Sequence, residues 1–466
     1  MLQNKKLYGE FLTPKEIFKN YILPEIENDI YKYRWVDLFC GEGNLILPIL
    51  ELVDLNERNH FFENHIFLFD IQKSLVEKAI LNAIKYGIKE SLARKNIIQM
   101  DTIKHYPNFI LNTNLLIYHI TNPPYLYIGH IAKSKSNIID YFKRENEGYQ
   151  DLYQLALMND LRNNIKKMIY IIPANFLFGF SVSNKIRKDF LKFYKIKKCY
   201  IFERRVFEDT GTNVILCFFE RKQFPKDEEI IFEGIKINNS IQKRVYILSP
   251  KNYYRAGNEF EEFVNKYKSK KPLKVSFYFT KEEFEKNKGD REIVVLDVNE
   301  YKNKVLNVNE ELYKKIKSNI LFVRTLDTGK MDGRVGLYEV KEVFNVDGIF
   351  VSKSKHRTHP IQIFFEPIIS KEHQKLLKNY FNLLLEYFRE KTDSEFMTTY
   401  KYSNSQYTRK YLGLLQVKNL IETFPILLLN ENDLKEFEKI VNLKDAESVI
   451  SFIESFNKKE KSILWH

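Results

Sequence analysis

The stretch Trp35-Val36-Asp37-Leu38-Phe39-Cys40-Gly41-Glu42-Gly43-Asn44-Leu45 decides the fold. It reads as the end of an apolar strand closed by an acid, then two glycines in a tight turn, then a helical pattern. Outward from it, residues 34 to 221 alternate short β-branched or aromatic runs with longer amphipathic patterns. Strands are predicted at Trp35 to Leu38, Ile66 to Asp70, Asn96 to Gln99, Leu115 to Ile120, Lys167 to Ile172, Ile196 to Phe202 and Asn213 to Glu220. Gln72 to Tyr86 and Leu152 to Asn164 read as helices. This alternation predicts a doubly wound α/β domain with a mostly parallel, seven-stranded sheet. The run at Asn213 follows Phe202 too closely for a crossover helix, so an antiparallel edge hairpin is expected.

Gly41 and Gly43 let the backbone approach a ligand with no Cβ in the way. The third glycine of GxGxxG is missing, which disfavours a dinucleotide and points to an S-adenosylmethionine loop, with Asp37 and Phe39 beside it. Asp70 ends the next strand, where a carboxylate can accept both hydroxyls of a ribose. Asp101 lies just past the third strand and suits the adenine amine of a cofactor. Three acids at successive strand ends line one sheet edge, the edge at which open α/β folds bind ligands. Any one of them alone also has the reading of a turn former.

The run Leu115 to Ile120 leads into Asn122-Pro123-Pro124-Tyr125. Methylating a planar amine requires acceptors for its N–H groups, because the lone pair is delocalised into the ring. Asn122 Oδ1 and the Pro123 carbonyl suit that role. The prolines have fixed φ and no N–H, which makes the turn rigid, and Tyr125 offers a face for stacking. A bland reading, a turn after a strand, fits the same four residues taken alone.

The chain has 466 residues, 44% hydrophobic and 29% charged, enough for a sizeable core and for two domains. It shows no run of about eighteen uncharged apolar residues and no signal-peptide centre near Met1, so a cytoplasmic protein without membrane contact is expected. Cys40, Cys199 and Cys217 suit reduced core thiols, and the nine histidines form no metal-ligand spacing. A net charge of +13 argues for a polyanionic partner, although lysine-rich solvated faces give the same total. After Arg221 the charge pattern becomes denser, which places a boundary near residue 240. Residues 1–240 and 241–466 are then two domains, the second α+β with basic and aromatic stretches at Lys266 to Lys274, Ser352 to His359 and Thr398 to Tyr411.

Together these residues resemble the gamma-class DNA amino-methyltransferases of the TaqI type, found in restriction-modification and related systems. Gly9 to Pro14 resembles the family's N-terminal cofactor motif, Asp37 to Leu45 its glycine loop, and Asn122 to Tyr125 its catalytic tetrad. Tyr149 to Tyr153, Ile172 to Leu177 and Arg205 to Phe207 also have counterparts. The resemblance implies S-adenosylmethionine bound by Thr13, Asp37, Phe39, Gly41, Gly43, Asp70, Ile71, Asp101 and Asn122. It implies catalysis by Asn122, Pro123, Tyr125 and Phe207, with Phe207 packing on a flipped base opposite Tyr125. An ordinary core phenylalanine is the competing reading of Phe207. Some members place an aromatic against the cofactor adenine where this chain has Ala156, with Phe39, Ile71 or Phe109 as possible substitutes.

An asparagine at the head of the tetrad implies adenine N6 rather than cytosine N4. Domain order in the class implies a C-terminal target-recognition domain on double-stranded DNA. Arg357, Asn404, Gln406, Arg409 and Lys410 are base-reading candidates by side-chain type, and Leu414 to Leu428 is similar to family specificity domains. A monomer is implied, with any cognate restriction endonuclease acting separately. Rival readings are a protein-glutamine or RNA-guanine methyltransferase using the same tetrad, a bifunctional enzyme with Asp332, Glu339 and Lys341 as nuclease residues, and a DNA-binding module that no longer catalyses.

Overall fold

The computed structural model describes residues 12–129, 131, 137–179, 182–204, 206–207, 212–238, 240–328, 333–355, 359–394 and 411–463. The described residues form two compact units, one running from residue 12 to 256 and the other made of residues from 257 to 394 and 411 to 463. The first unit therefore runs past the boundary expected near residue 240.

Nine strands form its sheet: β1 (Tyr33–Asp37), β2 (Ile66–Asp70), β3 (Ile97–Gln99), β4 (Leu116–Thr121), β5 (Lys167–Pro173), β6 (Tyr194–Phe202), β7 (Val214–Arg221), β8 (Ile230–Ile237) and β9 (Ile241–Leu248). Their order is β3-β2-β1-β4-β5-β7-β6-β8-β9. The first five pair in parallel, and β7 lies antiparallel between β5 and β6. The expected seven-stranded sheet is thus extended by two strands. β8 pairs in parallel with β6, and β9 closes the edge antiparallel to β8. The β6–β7 hairpin is interior as a result. The segment after Arg221 reads as densely charged with no clear strand, yet β8 alternates buried and exposed residues over its first half, the pattern of a half-covered strand.

The parallel strands read as continuous apolar runs because helices cover both faces. In β5 all six residues from Met168 to Pro173 are buried. The helix Lys73–Lys85 turns Leu75, Val76, Ala79, Ile80 and Ala83 inward, a single stripe at helical spacing. The helix Leu152–Arg162 buries nearly its whole surface. The expected helical pattern after Gly43 is a short 3-10 helix, Leu47–Leu52, with Leu47, Ile49 and Leu50 in the core. Cys40, Cys199 and Cys217 are buried free thiols.

In the second unit are β10 (Lys274–Phe277), β11 (Phe279–Thr280), β12 (Lys288–Asp297), β13 (Lys302–Val308), β14 (Leu321–Arg324), β15 (Gly336–Glu339), β16 (Gly348–Val351) and β17 (Ile361–Glu366). They form two four-stranded sheets, β10-β17-β14-β15 and β11-β16-β12-β13. The long helix Lys371–Glu390 starts at Ser370, whose Oγ accepts the His373 N–H at 3.1 Å. Its Leu377, Tyr380, Phe381 and Leu384 share a core with Leu321, Val323 and Ile363. Arg357, Asn404, Gln406, Arg409, Lys410 and Asp332 lie outside the described residues. No described helix is long and apolar enough to cross a membrane.

Candidate active site

The sheet order reverses between β1 and β4, and a crevice opens there beyond the strand ends. A cleft occupies the position, walled by residues that follow β1, β2, β3 and β4. Of the residues singled out from the sequence, Thr13, Phe39, Gly41, Asp70, Ile71, Asp101 and Asn122 line it, together with Pro124. Residues separated by more than a hundred positions are brought to one space by the parallel topology.

Gly41 and Gly43 both take positive φ, 54° and 83°. A Cβ on Gly43 would come within 2.5 Å of Leu47 Cδ1, and one on Gly41 would meet Leu12 at 3.1 Å. Gly43 thus serves close packing beneath the loop, whereas Gly41 lies on the cleft wall. The Gly41 N–H donates to Asp70 Oδ2 at 3.0 Å and the Gln72 N–H to Oδ1 at 2.8 Å. Asp70 therefore ties the glycine loop to the end of β2.

Asp37 is 1% exposed and lies beneath the cleft lining. Its Oδ1 accepts Thr121 Oγ1 at 2.6 Å and the Phe39 N–H at 3.0 Å, so β1 and β4 are joined across the crevice. Burial raises its pKa to about 6, opposed by these two donors. Burial also pushes the Cys40 thiol up, helped by the Asp70 and Asp37 carboxylates, which makes it a poor nucleophile.

Asn122 is held at both ends. Its Nδ2 donates to Thr13 Oγ1 at 3.0 Å, and its Oδ1 accepts the Tyr125 hydroxyl. The same hydroxyl lies 2.8 Å from the Ile171 carbonyl oxygen. Tyr125 is 3% exposed, and its burial raises the phenol pKa well above 10, so the hydroxyl is a hydrogen-bond donor rather than a base. Phe207 is also buried and stands edge-on to Tyr125, ring centroids 6.5 Å apart at 60°. The two rings predicted to sandwich a base are neighbours, but they do not form a parallel-sided slot.

Phe39 and Ile71 line the cleft, whereas Phe109 does not: it is half exposed and packs against the rings of Phe67 and Phe69. Ala156 is buried away from the cleft. The aromatic that sequence reading missed is Tyr141, which lines the cleft and donates its hydroxyl to Asp101 Oδ2. Asp101 Oδ1 accepts the Lys104 N–H at 3.1 Å. No short motif marks Tyr141; only its placement beside Asp101 does. Among the described residues, no group of three histidines, cysteines or acids is arranged to hold a metal.

The residue pattern of the family described as N-6 DNA Methylase matches residues 2–304, well over half of the chain. The chain belongs to the N-6 DNA methylase family. A search of the curated proteins found no match. Among solved structures similar to this chain is a protein described as a modification subunit of a type I restriction enzyme from Vibrio vulnificus. It is 18% identical, covering 55% of this chain and 52% of that one with a TM-score of 0.38. The EcoKI M protein is 15% identical, with 50% of each chain covered and a TM-score of 0.39. The type I methyltransferase subunit of Streptococcus thermophilus is 16% identical, covering 53% of this chain and 58% of that one with a TM-score of 0.38. The chain spans about half the length of these proteins.

Proposed function

We propose that this chain is a site-specific DNA methyltransferase that moves the methyl group of S-adenosylmethionine onto the N6 amine of an adenine turned out of duplex DNA. The observation that carries this reading is that Asn122 and Pro124 of the tetrad border the same cleft as Asp70 and Asp101. An acceptor suited to an amine, Asn122, and acids suited to a nucleoside thus border one space.

The residues present fit the cofactor. Gly41, at φ 54°, leaves the wall bare of a Cβ, and Asp70 and Asp101 offer carboxylate acceptors on the same cleft. Asp70 would hold the ribose hydroxyls and Asp101 the cofactor's adenine amine, between the apolar walls of Phe39 and Ile71. When bound, the cofactor supplies an electrophilic methyl group. Asn122 Oδ1 and the Pro123 carbonyl would accept the two N–H groups of the target amine and favour its tetrahedral, nucleophilic form. Tyr125 and Phe207 would stack the base. Alignment of two bound reactants supplies much of the acceleration, so no strong base is required at the amine.

The second unit, with its two small sheets and helices, would be the target-recognition domain, its Lys and Arg residues contacting phosphates. The net charge of +13 agrees with a polyanionic partner, and such contacts give DNA affinity that falls steeply with salt. The test is transfer of labelled methyl from S-adenosylmethionine to unmethylated genomic DNA, followed by nucleoside analysis and modified-base sequencing. N6-methyladenine at one short motif is expected. Incorporation into protein or RNA, with none into DNA, would overturn the DNA reading while keeping the tetrad chemistry.

A further inference from the structure

A buried polar chain whose side chains all lie outside the sequence motifs runs from the helix Leu152–Arg162 to the backbone of the glycine loop. Asp160 on that helix is fully buried, and His119 on β4 is 1% exposed. His119 Nε2 lies 3.2 Å from the Leu38 N–H and accepts from it. The other ring nitrogen, Nδ1, therefore carries the hydrogen and gives it to Asp160 Oδ2. Asp160 also accepts Tyr170 Oη at 2.6 Å on Oδ2 and Tyr106 Oη at 3.2 Å on Oδ1. Burial and the Asp160 carboxylate push both phenols well above their ordinary pKa, so both remain donors.

At the far end of this chain, the Leu38 carbonyl accepts Thr102 Oγ1 at 2.8 Å. Both polar groups of the Leu38 backbone are thus held by side chains just where β1 ends. Leu38 sits between Asp37, joined to Thr121, and Phe39, which lines the cleft. A buried carboxylate and imidazole are expensive in an apolar core unless fully hydrogen-bonded, and a satisfied network makes the local geometry rigid.

We propose that His119 and Asp160 are positioning residues: they touch neither substrate nor cofactor, but set the Asp37-Leu38-Phe39 turn against the cofactor cleft. His119 stands three residues before Asn122 on the same stretch of chain, so one element carries both the tetrad and the support of the cofactor loop. The inference rests on the proposed reading of the cleft as an S-adenosylmethionine site.

Two measurements keep the inference and that reading apart. Hydrogen exchange of the Leu38 amide reports the relay directly, without any ligand. Calorimetric binding of S-adenosylhomocysteine, with methyl-transfer kinetics, reports its effect on the site. In His119→Leu the Leu38 amide should exchange faster, cofactor affinity should fall by about tenfold, and the rate at saturating cofactor should stay within about threefold, as expected for loss of one buried hydrogen bond. His119→Gln should restore most of both, because its Oε1 can occupy the position of Nε2 and accept the Leu38 N–H. Asp160→Asn, which keeps the shape of the side chain, should show the same losses in weaker form. Wild-type exchange at Leu38 in both His119→Leu and Asp160→Asn would overturn the proposal, as would equal losses in His119→Leu and His119→Gln. Faster exchange at Leu38 with no cofactor binding by the wild-type protein would uphold the relay and overturn the reading of the cleft.

Discussion

The Tyr125 hydroxyl donates to Asn122 Oδ1, the oxygen that the proposed function assigns to the target amine. A phenol has one hydrogen, and the Ile171 carbonyl oxygen lies 2.8 Å away as a second acceptor. Turning the hydroxyl to Ile171 releases Oδ1 without moving either side chain, while Thr13 keeps the amide in place through Nδ2. Tyr125→Phe should therefore lower the transfer rate by less than about tenfold, the scale of one shared hydrogen bond. Tyr125→Ala removes the stacking face as well and should cost far more. A comparison of single-turnover rates checks this, and equal losses in the two variants would contradict it.

Asn122→Ala should abolish transfer while changing cofactor affinity by less than about tenfold, since Asp70 and Asp101 still line the cleft. Residual transfer at the wild-type rate would remove Asn122 from the mechanism.

A base stacked on both faces needs roughly 7 Å between flanking ring planes, twice the van der Waals separation. Tyr125 and Phe207 instead meet edge-on at 6.5 Å, so the proposed stacking requires one of the two rings to turn or shift. Phe207→Ala should slow transfer by roughly 10- to 100-fold, the value of one base–aromatic stack. Fluorescence of 2-aminopurine at the target position should show weaker capture of the flipped base, and Phe207→Trp should retain it.

Asp37 ties stability to pH. Its folded pKa of about 6 stands above the ordinary 3.8, so folding binds a proton between these values. The cost of an ionised carboxylate in the core, about 3 kcal/mol, is fully present above pH 6 and gone below about pH 4. Asp37→Asn keeps Oδ1 as acceptor for Thr121 and Phe39. It should therefore melt higher than the wild type at pH 8 and lose that advantage toward pH 4. Thermal melts across that range decide it.

Gly43 has φ 83°, and a Cβ there would press on Leu47 at 2.5 Å. Gly43→Ala should cost roughly 2 kcal/mol or more from left-handed strain and overpacking combined. Chemical denaturation would show it, and an unchanged midpoint would refute the packing role assigned to this glycine.

Local chemistry was legible without coordinates. The apolar runs of β1, β2 and β4, the acids that close β1 and β2, the glycine turn and the rigid Asn-Pro-Pro-Tyr segment are each encoded by neighbours in the chain. The observed strands follow those runs to within about two residues, because a parallel sheet covered on both faces demands continuous apolar segments.

Other features depend on partners far apart in the chain, and only the tertiary structure decided them. β8 joined the sheet because its residues found the free edge of β6, a pairing that the charged stretch before it conceals. Phe207 lies among polar flanks in sequence, yet it is buried against Tyr125. Tyr141 reaches Asp101 from 40 residues away, and His119 reaches Asp160 from 41. A residue type and its spacing specify a turn or a strand, but a buried hydrogen bond between distant residues exists only once the packed core has excluded water and brought donor and acceptor together.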